Sequence, residues 1–76
     1  MKIVTKQIEE NSSKYIIYLM DDNGKPLNAE IVTNEHDKRD GIYQLLEEHF
    51  APEDYDTKES LLSNVEEISY EQYISQ

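Results

Sequence analysis

The spacing of apolar residues changes once along this chain, from a period of two to a period near three and a half. Residues 2–9, Lys-Ile-Val-Thr-Lys-Gln-Ile-Glu, are rich in β-branched side chains and predict a strand. Asn11-Ser12-Ser13 supplies a turn. Residues 14–33 then predict two strands around Asp22-Asn23-Gly24-Lys25. Asn-Gly is the favoured pair for a two-residue type I′ loop, because both positions need positive φ. With Asn23-Gly24 as the loop, Asp22 faces Lys25, Met20 faces Leu27, Tyr18 faces Ala29 and Ile16 faces Ile31. The opposite face pairs Leu19 with Asn28, Ile17 with Glu30 and Tyr15 with Val32. Asp22 and Lys25 are an opposite-charge pair at the turn, and the Met20/Leu27, Tyr18/Ala29 and Ile16/Ile31 pairs on one face are all apolar, so turn chemistry and hydrophobic pattern agree on one register. Pro26 cannot donate to a ladder, which puts the third strand at an edge. The middle strand then pairs with residues 2–9.

Residues 37–50 predict an amphipathic helix. Ile42, Leu45, Leu46, His49 and Phe50 recur at i, i+3, i+4, i+7 and i+8. Asp37 or Asp40 can cap its start, Asn34 can begin it earlier, and Pro52 ends it. Residues 57–76 admit two readings. In the preferred one Thr57 caps a second helix with a Leu61/Leu62/Val65/Ile68 stripe and Tyr73 at its rim. In the other, the helix stops near Asn64, residues 65–68 are extended, and Ser69-Tyr70-Glu71-Gln72 is a capping box for a last short turn. The expected fold is α+β: one domain over residues 1–76, a three-stranded antiparallel meander, and a second, C-terminal helix. Helix 37–50 is expected on the Ile16/Tyr18/Met20/Leu27/Ala29/Ile31 face.

Charge sharpens this picture. The 76 residues carry a net charge of −10. Residues 1–34 hold four lysines and five acids, whereas residues 35–76 hold three basic residues and twelve acids. Such a half repels nucleic acid and anionic membranes, so neither is expected as a direct partner. The longest apolar run, Tyr15 to Met20, is six residues, far below the ~20 needed to span a bilayer. The chain has no cysteine, which excludes disulfides and thiolate metal sites and fits a reducing, cytoplasmic setting.

Catalytic and metal-binding signatures fail one by one. Aligning Gly24 with the glycine of a calcium loop leaves Leu19 where a carboxylate is required, between strands rather than helices. His36 and His49 lie thirteen residues apart and cannot share a helical turn as ligands. Ser12, Ser13, Ser60, Ser63, Ser69 and Ser75 sit in no recognised nucleophile context. Two glycines, Gly24 and Gly41, make no phosphate cradle. No catalytic residue, cofactor or metal site is expected.

What remains is acidity interleaved with tyrosine, a residue favoured at interfaces. The expected function is therefore a non-enzymatic protein-binding module, in its sharpest form a small inhibitor or accessory protein acting on a basic or nucleic-acid-binding partner. Its expected contact residues are Glu47, Glu48, Glu53, Asp54 and Asp56 with Tyr55 as an anchor, then Glu66, Glu67 and Glu71 with Tyr70 as another. The alternative is a self-associating structural protein using the edge strand or the second sheet face: Tyr15, Ile17, Leu19 and Val32. In size and acidity the chain resembles small accessory proteins of bacteriophages and mobile elements, a likeness of composition that carries no residue roles.

Overall fold

A computed structural model of the chain describes residues 1–75. The elements are β1 (Lys2–Gln7), β2 (Tyr15–Met20), β3 (Pro26–Val32), α1 (Glu35–His49), α2 (Tyr55–Ser63), β4 (Glu66–Ile68) and α3 (Tyr70–Ile74). They form an α+β fold with a four-stranded sheet ordered β3-β2-β1-β4. β2 is antiparallel to both neighbours, and β4 runs parallel to β1.

The expected β2–β3 register holds from Tyr15↔Val32 to Leu19↔Asn28, with Ile16 opposite Ile31. The turn is different. Asp21 and Lys25 close it, with the Asp21 amide on the Lys25 carbonyl at 2.9 Å. Gly24 has φ +78°, and Asn23 is not in the left-handed region. This is a three-residue loop of the bulged type, not the two-residue I′ loop. The longer loop moves Met20 opposite Pro26, and an irregularity between Leu19 and Met20 restores the register. Leu27 is the extra residue at that bulge.

The largest correction concerns which face is inside. α1 packs on Ile3, Ile17, Leu19 and Val32, joined by Leu61 of α2. It does not pack on the face of Ile16, Tyr18, Met20, Leu27, Ala29 and Ile31. Ile17 and Leu19 are 0% exposed, so the face expected to be spare lies under the helix, and Tyr18 is half-buried on the outer side. β1 supplies the reason. Its register puts Lys2 opposite Met20 and Lys6 opposite Ile16, on the outer face. The alternate residues, Ile3 and Thr5, face Leu19 and Ile17. Burying two ammonium groups beneath a helix is far costlier than burying Ile3 and Thr5.

α1 begins at Glu35 with Asn34 as its cap, the Asn34 side chain accepting from the Asp37 amide at 2.9 Å. Ile42, Leu45 and Leu46 are buried as its spacing predicts, each contributing about 1.5–3 kcal/mol relative to exposure. His49 is exposed. Gly41 is buried against the sheet.

The single C-terminal helix is also corrected. α2 starts at Tyr55, with Asp54 rather than Thr57 at its cap position, and ends at Ser63. Residues 66–68 pair with β1, Val4↔Glu66 to Lys6↔Ile68, filling an edge that three strands would leave open. Ser69 and Gln72 then form the capping box of α3. The expected three strands are thus four, in a mixed sheet.

Candidate functional site

The most articulated cluster of side chains lies where β2, α1 and β4 meet. Tyr15 begins β2 opposite Val32, so its ring lies on the helix side near the start of α1. Its hydroxyl donates to Glu35 Oε1 at 2.6 Å. One turn on, the Lys38 ammonium stands 4.4 Å from the centre of the Tyr15 ring and donates to Glu67 Oε1 at 2.8 Å. The Lys38 side chain is 15% exposed, so its charge is largely removed from water and matched by ring and carboxylate. The Tyr15 hydroxyl is pushed up from 10.0 to about 12, first by the hydrogen bond to Glu35, then by burial and the charges of Glu35 and Glu67. A tyrosine so placed stays neutral at physiological pH.

A cleft of about 380 Å³ opens beside this cluster, between α1, α2 and β4. Ile42, Leu62 and Val65 give it apolar surface, and Glu35, Lys38, Arg39, Glu59 and Glu67 give it mixed charge. Arg39 leans over the Tyr43 ring at 5.7 Å. The cluster holds α1 against the sheet edge, and its ion pair and aromatic contact are mutually satisfied.

The residues expected to bind a partner are not brought to one place. Glu66 and Glu67 alternate across β4. Glu66 accepts from Lys2 at 3.0 Å on the outer side, and Glu67 accepts from Lys38 on the helix side. Glu48, late in α1, accepts from the Asn28 side chain at 2.8 Å. Glu47, Glu53, Asp54, Tyr55 and Asp56 are exposed along the end of α1 and the start of α2, and Tyr55 is 63% exposed. Tyr70 and Glu71 belong to α3 and line a shallow hollow with Gln7, Glu10 and Asn11. The ten residues therefore divide among the outer sheet side, the helical layer and the α3 end.

Three arrangements escaped the sequence reading. The Tyr15–Lys38–Glu67 contact joins residues far apart in the chain, and only the i, i+3 spacing of Glu35 and Lys38 hints at it. The second is on the outer face, where the Lys6 ammonium lies 5.5 Å from the Tyr18 ring centre and 5.7 Å from that of Tyr73. α3 is thereby pinned over β1. The third is the buried hydroxyl of Thr5, which has no hydrogen-bond partner among the described residues.

Among the described residues, no three His, Asp or Glu side chains converge as metal ligands, and no helix is long and apolar enough to cross a membrane. Compared with known protein families, characterised proteins and solved structures, the chain matches none.

Proposed function

We propose that this chain is a non-enzymatic protein-binding module whose helical layer engages a basic partner. The observation that carries this reading is the separation of charge between the two sides of the sheet. Residues 35–63, spanning α1 and α2, hold nine carboxylates and three cations. Among the described residues none of those nine carboxylates is in an ion pair. Within the paired strands, the outer sheet face carries only Lys2, Lys6 and Glu66 as charged residues. Unpaired carboxylates on one side give a field that steers a cationic surface to that side. Tyr55 provides an exposed aromatic anchor within it.

Affinity capture from native lysate at low and high salt tests this. Basic proteins should be retained at low salt, released at high salt, and lost with the charge reversals Glu53→Lys and Asp56→Lys. Reversal of Glu66, on the far face, should leave capture intact. Retention indifferent to both salt and charge reversal, or no retention, would overturn the reading.

A second reading, self-association, is favoured by one observation: Ile31, on the outer sheet face, is 58% exposed, and Leu27 at the bulge is 42% exposed. Light scattering decides it, because a monomer at high concentration removes it.

A further inference from the structure

β3 forms an open edge of the sheet, and its two halves differ. The first half is closed to pairing. Pro26 has no amide, and Leu27 is displaced at the bulge. The Ala29 amide donates to its neighbour's Asn28 Oδ1 at 2.9 Å, and Asn28 is itself tied to Glu48. Among the described residues nothing comparable protects residues 30–32. Backbone groups alternate along an antiparallel strand between its partner and its open side. Ile31, two residues beyond Ala29, therefore presents its amide and carbonyl to the same open side.

The two flanks of this edge differ in chemistry. On the helix side, between β3 and α1, runs a groove of about 310 Å³ lined by Glu30, Asp37 and Asp40. Among the described residues none of these carboxylates is in an ion pair. On the outer side lie Ala29 and the exposed Ile31, with Ile16 beyond.

We propose that the edge from Glu30 to Val32 accepts an extended segment of a protein partner, added as a fifth strand, in which basic and apolar residues alternate. Residues directly opposite in paired strands share a face. A basic residue opposite Glu30 thus enters the carboxylate groove, and an apolar one opposite Ile31 covers it. Main-chain bonds supply affinity and the alternating side chains supply selectivity. A second copy is disfavoured as occupant, because its β3 would bring another Glu30 to the same groove on a chain of net charge −10. The inference rests on the reading that the partner is basic, and adds where and in what conformation it binds.

Two synthetic peptides of equal composition test it, one alternating lysine and valine, the other with lysines and valines in separate blocks. The alternating peptide should bind about tenfold or more tightly than the block peptide. It should also shift the amide resonance of Ile31. Ile31→Pro, which removes the open amide, should abolish the preference, as should Glu30→Gln combined with Asp40→Asn. If the proline variant fails to fold, the double variant and the amide shift decide. Equal binding of both peptides would overturn this inference while leaving a basic-partner module standing. Binding of neither would remove both. A self-associated chain that Ile31→Pro renders monomeric would show a second copy to be the occupant and overturn the proposal.

Discussion

Gly41 and Val32 touch through the absence of a side chain: a Cβ at position 41 would stand 3.1 Å from Val32 Cγ1 and 3.0 Å from Ile17 Cδ1. α1 therefore rests directly on β2 and β3 at this point. Gly41→Ala should gain about 1 kcal/mol of helix propensity and lose about 1–3 kcal/mol to overpacking. Ile17 is wholly buried and Val32 has only one rotatable side-chain bond, so neither yields easily. The expected net effect is a loss of about 1 kcal/mol, and a larger loss for Gly41→Val. The denaturant midpoint measures both; a midpoint raised by alanine would show that the sheet moves aside.

Thr5 presents the reverse situation. It is 1% exposed, and its Oγ1 has no partner among the described residues. Thr5→Val keeps the β-branched shape and removes the stranded hydroxyl, so the protein should gain about 1 kcal/mol. Thermal or denaturant unfolding checks this, and an unchanged or lowered stability would mean the hydroxyl is satisfied in solution.

Tyr15 predicts behaviour at alkaline pH. Its hydroxyl ionises near 10.0 unfolded and at about 12 folded. Between these values the unfolded chain has released a proton that the folded chain retains, so stability falls as pH rises. Below pH 10 the contribution is fully present. Tyr15→Phe should flatten the decline between pH 10 and 12, and ultraviolet titration should lose a late ionisation step in the same variant. Identical declines in both proteins would contradict the Tyr15–Glu35 bond.

Ser69 controls the last helix. α3 has five residues, too few to persist without help. Its help is the capping box and the Lys6–Tyr73 contact. Ser69→Ala should remove about 1 kcal/mol of local stability. Hydrogen exchange should quicken over residues 70–74 while β1 to β3 stay protected; unchanged exchange there would show that Tyr73 alone holds α3.

The hairpin, the α1 stripe and the Ser69 capping box were legible because each is a local pattern of a few residues. The buried face was not read correctly from the hairpin alone, because both faces of Tyr15–Met20 are apolar and either could lie inside. The deciding signal was present in β1, where Lys2 and Lys6 share a side that α1 could cover only by burying two ammonium groups. β4 was harder to see. Glu66-Glu67-Ile68 has no strong strand preference, and what makes it a strand is the open side of β1, distant in sequence. The Tyr15–Lys38–Glu67 cluster depends on that pairing and was hidden with it. The grouping of ten residues into one acidic surface failed for the same reason, since alternation on β4 sends Glu66 and Glu67 opposite ways.

The parallel pairing of Val4 with Glu66 gives the chain a schedule as well as a shape. Synthesis completes β1, β2, β3 and α1 before it reaches the segment that finishes the sheet. Through that interval one flank of the first strand stands unclaimed, and Lys2 and Lys6 beside it lack Glu66 and Tyr73. Proteolytic trimming after Asn64 would recreate the same half-finished object, with a bare strand ready to pair with whatever is near.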